Sequence, residues 1–212
     1  MRPAILDYGA GNLFSVRRAV EEIGVKPVIT SSPKILEKAT HLILPGVGAF
    51  PSAMKKLNEL ELVGPIMEFA RSGKPILGLC LGMQLLFEKS TEFEITNGLG
   101  LIPGIVKSFK ENSNLKPGTK IPHIGWNKLT FPAINSTLQN VIFRHIKSDE
   151  SFYFVHSFHA SPSNKDDIVA VTEFGEIWFC SVVGRDNVVG LQFHPEKSGK
   201  AGLSIIRGFL DT

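Results

Sequence analysis

The chain has 212 residues, 43% of them hydrophobic, with 23 Lys and Arg against 20 Asp and Glu for a formal charge of +3. Such a chain can bury a sizeable core, which excludes a disordered polar segment, and its scattered charge, without a basic run or interleaved aromatics, gives no support for nucleic-acid binding. Two cysteines make no disulfide framework, no apolar stretch approaches a membrane span, and the apolar part of residues 1–7 is too short for a signal peptide, so a reducing, cytoplasmic setting without a membrane partner is expected.

Short apolar runs alternate with helical patterns through the first half. Strands are expected at residues 4–6, 27–30, 41–44 and 75–79. Leu13, Val16, Val20 and Ile23 recur at helical spacing between the first two, and residues 51–60 and 63–71 also read as helices. This alternation implies crossover units and a parallel sheet covered on both faces, with ligands at the carboxyl ends of the strands. After about residue 98 the texture changes to strands and turns, at 104–109, 127–131, 151–155, 168–173, 177–183 and 188–193. These read as antiparallel additions before a closing helix at 198–210, with a polar exposed loop at 110–120. Nothing resembles a linker or repeat, so one domain over residues 1–212 is expected. Asn135-Ser136-Thr137 fits a glycosylation acceptor, which matters only in a secretory protein and is discounted.

The fourth strand runs into Gly78-Leu79-Cys80-Leu81-Gly82-Met83-Gln84. An apolar run ending in a potential nucleophile, with glycines two residues before and after it, is the pattern of a nucleophile elbow, a tight strand-to-helix turn that tolerates only small neighbours. It presents Cys80 at a helix start, where free N–H groups and the positive dipole end suit an attacking sulfur. A buried core cysteine is the alternative, and Cys180 is most simply that. Far downstream, Gln192-Phe193-His194-Pro195-Glu196 places a carboxylate two residues beyond an imidazole. Pro195 biases His194 to extended backbone, and in an extended segment residues two apart share a side. Cys80, His194 and Glu196 then form a nucleophile, base and orienting acid. Attack on a carbonyl creates an oxyanion, for which the backbone N–H of Leu81 and the glycine-rich loop Pro45-Gly46-Val47-Gly48 are candidate donors, Val47 and Gly48 foremost. A tight turn is the plainer reading of that loop, and both can hold.

The elbow and the His-Pro-Glu segment resemble class I glutamine amidotransferases, whose triad is Cys-His-Glu and which release ammonia from the side-chain amide of glutamine. Asp7-Tyr8-Gly9-Ala10-Gly11-Asn12, Pro122-His123-Ile124-Gly125-Trp126-Asn127 and Tyr153-Phe154-Val155-His156-Ser157, in this order, are similar to the imidazole glycerol phosphate synthase branch of that family. The resemblance covers essentially the whole chain. It implies a three-layer α/β fold and catalysis by Cys80, His194 and Glu196 without cofactor or metal. It further implies binding of L-glutamine by Gln84 and Glu92 and by backbone at His156 and Ser157. Phe158 stands where many relatives carry tyrosine.

Ammonia released into water is lost as ammonium, so the nitrogen has to be handed on. The resemblance implies a separate cyclase subunit, a (β/α)8 barrel forming a heterodimer with this chain, and puts Asn12, Trp126 and Lys197 near that interface or its tunnel mouth. A core position is as good a reading of Trp126 from sequence. A paralogue supplying another acceptor enzyme would carry the same triad. A free-standing cysteine hydrolase would also fit the elbow, but would turn over robustly without a partner.

Overall fold

Side-chain alternation in the first strand divides the molecule into layers. In β1 (Pro3–Leu6), Ala4 and Leu6 enter one apolar cluster and Ile5 the other, because successive strand residues face opposite sides. The computed structural model describes residues 1–132 and 137–212, so Asn135 and Ser136 of the acceptor sequence lie outside the described residues. From β1 the chain passes through α1 (Leu13–Glu22), β2 (Val28–Thr30), α2 (Pro33–Glu37), β3 (His41–Leu44), α3 (Phe50–Glu59), α4 (Val63–Arg71), β4 (Ile76–Leu79) and α5 (Leu81–Leu85). Strands β2, β1, β3 and β4 lie side by side and parallel. On one face Leu42, Leu44 and Ile76 pack with Leu36 of α2, Leu57 of α3 and Ile66 of α4. On the other, Ile43, Leu77 and Leu79 pack with Val16 and Val20 of α1. Because both faces are covered, β1 and β4 are apolar throughout and β3 is apolar after His41, and each buried Leu, Ile or Val contributes about 1.5–3 kcal/mol.

The chain continues through β5 (Phe87–Ser90), β6 (Thr96–Asn97), β7 (Ile102–Ser108), β8 (His123–Lys128), α6 (Thr137–Phe143), β9 (Ser151–His156), β10 (Phe158–Pro162), β11 (Ile168–Phe174), β12 (Ile177–Arg185), β13 (Val188–Leu191) and α7 (Gly199–Leu210). Among the described residues the main sheet extends from β4 through β13, β12, β10, β7, β5 and β6, with β11 paired to β12. Strands β8 and β9 form a separate antiparallel ribbon. Ile205, Ile206 and Phe209 of α7 close the cluster on the α1 side.

The α/β architecture with a parallel sheet between helices and antiparallel strands beyond it agrees with the expectation. Strand β12 runs antiparallel to β13, β10 and β11. Two details depart from it. Strand β13 joins β4 in parallel, and β7 runs parallel to β5. The first of these departures is what brings the segment carrying His194 beside the end of β4. The strand expected at 127–131 lies earlier, at β8, where Pro122 and Gly125 obscure the alternation, and only the bridge from Thr130 to Val171 survives beyond it. Among the described residues, no helix is long and apolar enough to cross a membrane.

Candidate active site

Cys80 follows the last residue of β4 and caps α5, with φ 54° and ψ −108°, a backbone state costly for a residue with a Cβ. Its surroundings enforce that state. A Cβ on Gly82 would run into Leu44 O, and one on Gly78 would lie 2.8 Å from the Gly82 carbonyl. Cys80 N–H donates to Leu191 O of β13 at 2.7 Å, tying the elbow to the neighbouring strand. The N–H of Leu81 belongs to the first turn of α5, where helical geometry provides no acceptor. With only five residues, α5 has little macrodipole, so the local field comes from such free N–H groups rather than from a long helix.

His194 lies three residues past the end of β13, its N–H donating to Tyr153 O at 2.9 Å. Its Nδ1 is 2.8 Å from Glu196 Oε1, and the two side chains are 4% and 2% exposed. The route to that pairing differs from the expected extended segment. His194 is extended, with φ −100° and ψ 95°, but Pro195–Lys197 forms a 3-10 turn that folds Glu196 back onto the ring. Proline at the first position of the turn has its φ already set for it. Ser198 Oγ donates to His194 O at 2.7 Å and accepts from Tyr153 N–H, pinning the turn to β9.

Burial pulls the His194 pKa down, but hydrogen bonding and charge from Cys80 and Glu196 outweigh it and hold the value at about 10. The imidazole therefore carries a proton in the resting site at neutral pH. His194 Nε2 has no hydrogen bond that meets normal geometry, a looseness common in catalytic sites without substrate. Cys80 Sγ lies 3.9 Å from Val155 O and accepts a long contact, 3.8 Å, from Gln192 Nε2.

A cavity of about 580 Å³ opens over these groups. Its lining brings Cys80 and His194 together with Val47, Gly48, Gln84, Glu92, His156 and Ser157. Gln84 Nε2 donates to Phe158 O at 3.0 Å and to Gln192 Oε1 at 3.1 Å, so its side chain is held from two sides. Glu92 lies just past β5. There it is 9% exposed, accepts from Phe50 N–H at 2.7 Å, and has its pKa raised by burial, which exceeds the opposing pull of that hydrogen bond. A buried carboxylate in such a pocket suits a cationic ligand group. His156 Nδ1 contacts Phe158 O at 2.8 Å and Nε2 contacts His123 Nδ1 at 3.0 Å; burial drives its pKa down to about 3, so the ring is neutral.

Asn12, Trp126 and Lys197 lie at the surface around this centre. Asn12 caps α1, accepting from Ser15 N–H at 3.2 Å, and borders a crevice of about 10 Å³ shared with Val47, His194 and Glu196. Trp126 is 57% exposed, which removes the core reading. Its ring centroid lies 5.8 Å from that of Tyr153, and Lys197 Nζ is 5.8 Å above the same Tyr153 ring. Three participants were not foreseen from sequence: Tyr8, whose hydroxyl donates to Pro45 O at 2.8 Å, Gln192 between Gln84 and Cys80, and the N–H of Phe50. Gln192 was detectable, since it is two residues before His194 in an extended run. Among the described residues, no group of three or more His, Cys, Asp or Glu is placed to hold a metal ion.

The family model for glutamine amidotransferase class-I matches residues 4–211. Imidazole glycerol phosphate synthase subunit HisH 1 of Legionella pneumophila strain Lens is 47% identical over 207 residues, covering 98% of this chain and 97% of its own. The HisH subunit of Methanothermobacter thermautotrophicus is 47% identical over 210 residues, with the same coverages, and that of Geobacter metallireducens 43% over 207 residues, covering 97% and 96%. Among solved structures, PurLQS from Thermotoga maritima superimposes with a TM-score of 0.72 at 20% identity, covering 99% of this chain and 97% of that one, and a glutamine amidotransferase crystal structure with 0.71 at 17%, covering 98% and 97%. These likenesses establish the shared fold. From the match along residues 4–211 and relatives similar over their full length, the chain belongs to the glutamine amidotransferase class-I family, in the branch of the imidazole glycerol phosphate synthase HisH subunits.

Proposed function

We propose that this protein is the glutaminase subunit of an imidazole glycerol phosphate synthase, cleaving L-glutamine to glutamate and ammonia for a cyclase subunit in histidine biosynthesis. The observation that carries the reading is the convergence on one cavity of a strained elbow cysteine and of His194, which a buried Glu196 holds from behind. Cys80 Sγ attacks the side-chain carbonyl carbon of glutamine, and the carbonyl electrons move to oxygen. Leu81 N–H and the donors of the Val47–Gly48 segment receive that oxyanion, each donor contributing about 3 kcal/mol in comparable sites. His194 passes its proton to the amide nitrogen, ammonia leaves, and a glutamyl thioester remains on Cys80. His194 then takes a proton from water, whose oxygen attacks the thioester carbonyl; sulfur leaves with the bonding electrons, glutamate departs, and the starting pair is restored with the proton on His194. Glu196 holds the imidazole through Nδ1 throughout.

Glu92 pairs with the α-ammonium of glutamine, Gln84 lines the pocket beside it, and backbone at His156 and Ser157 takes the α-carboxylate. No cofactor or metal takes part. The partner is a (β/α)8 cyclase forming a heterodimer in the cytoplasm. Support for the docking side comes from the ribbon β8–β9, where Ile124 and Trp126 are 60% and 57% exposed and Lys197 and Trp126 both lie against Tyr153.

The test is the rate of glutamate formation by the protein alone and with a cyclase subunit carrying its nucleotide ligand. Strong stimulation by the liganded partner is expected. High activity of the isolated chain without further stimulation would overturn the assignment in favour of an uncoupled hydrolase.

A further inference from the structure

The segment that supplies the second oxyanion donor is held very unevenly. At its start, Pro45 O accepts from the Tyr8 hydroxyl at 2.8 Å, and Tyr8 is 1% exposed. The next residue is enclosed: a Cβ on Gly46 would lie 2.7 Å from Tyr8 Oη, 2.8 Å from Gly82 N and 2.9 Å from Leu81 Cβ. At its end, Phe50 N–H is bound by Glu92 Oε2 at 2.7 Å, and Glu92 is itself fixed through its own N–H to Ser90 Oγ at 3.1 Å. Between these points the packing disappears. Val47 is 45% exposed, and Gly48, at φ +102°, has open space where a Cβ would be.

We propose that Tyr8 and Glu92 are positioning residues that clamp the two ends of the Pro45-to-Phe50 segment and so set where the Val47 and Gly48 N–H groups stand relative to Cys80. The inference rests on the glutaminase reading above and adds to it the residues that control the donor loop. Fixed ends keep an oxyanion donor between them in register with the developing charge, and a shift of well under an ångström there weakens it. The burial of Tyr8 and its proximity to Cys80, both of which push its phenol pKa up, keep the hydroxyl protonated as a donor. The clamp at Glu92 also has a second function. Its carboxylate faces the same cavity as Cys80, so the group that receives the substrate ammonium is the one that holds the loop end.

Tyr8→Phe removes one hydroxyl and leaves the ring volume in place. In the complex with the liganded cyclase subunit, its stimulated kcat for glutamine is expected to fall about tenfold, with KM changed less than about twofold, because donor placement acts on the transition state. Alkylation of Cys80 by iodoacetamide, a displacement of iodide that forms no oxyanion, should proceed at the wild-type rate in the same variant. Glu92→Gln keeps an oxygen for Phe50 N–H and loses the charge, so it should raise KM more than it lowers kcat, whereas Glu92→Ala should lower kcat as well. A Tyr8→Phe enzyme whose stimulated kcat stays within about twofold of wild type overturns the clamp. So does a parallel fall in alkylation and turnover, which marks general damage to the site. If the wild-type complex itself shows no stimulated glutaminase activity, the functional reading fails and the clamp with it.

Discussion

Cys80 and Cys180 are both free and buried, 7% and 5% exposed. Cys180 lies within β12, its Sγ contacting Val182 O at 3.3 Å, and burial, the largest influence on it, pushes its thiol pKa up. Cys80 lies at a strand end with φ 54°, beside an imidazole that a carboxylate orients. Burial is shared; backbone state and neighbours are not. On the proposed reading, a nucleophile is made by the turn that aims it and the imidazole beside it, while the same residue in regular strand is packing material.

The sharpest way to break that contrast is to remove each sulfur in turn. Cys80→Ala should lower partner-stimulated glutaminase kcat on the order of 10³-fold or more. Cys180→Ala should leave kcat within about twofold and reduce unfolding free energy by about 1–2 kcal/mol, read by urea denaturation. Glu196→Gln tests whether neighbours rather than burial distinguish the two sites. With the ring's orienting carboxylate lost, kcat should fall about 10³-fold while the fold is retained, measured by glutamate release and circular dichroism.

The smallest effect separates two histidines beside Cys80. His194 is raised to about 10, so its favourable pairing is fully present below the ordinary value of 6.5 and is lost as pH rises through about 10. His156 is lowered to about 3, so between 6.5 and 3 the unfolded chain binds a proton that the folded one refuses, and stability falls as pH falls. Relative to wild type, His156→Gln should therefore gain about 3 kcal/mol on moving from about pH 6.5 to about pH 4, while the wild-type advantage over His194→Gln should shrink from about pH 6.5 to about pH 10, both read by urea unfolding.

What could be read from sequence follows the locality of its cause. β1, β3 and β4, α1 and α4 are set by apolar runs and helical spacing within a few residues, and their expected positions lie within a residue or so of those observed. Cys80, His194 and Glu196 carried recognisable local chemistry, and the structure brings them together through the parallel pairing of β13 with β4. β10, reading Phe-His-Ala-Ser-Pro, lacks alternation and exists because β7 and β12 lie on either side of it. The folding back of Glu196 came through a 3-10 turn that local sequence does not distinguish from an extended run. Tyr8 and Phe50 were hidden for a related reason, since one acts through a hydroxyl across 37 residues and the other through a backbone N–H across 42.

Cleavage of glutamine on Cys80 leaves a covalent trace. Acid quenching of the complex during steady-state glutamine turnover, followed by digestion and mass spectrometry, reads it directly. A glutamyl thioester is expected on the peptide containing Cys80 and none on that containing Cys180. Sustained turnover in Cys80→Ala, or a glutamyl adduct on the Cys180 peptide, would contradict it.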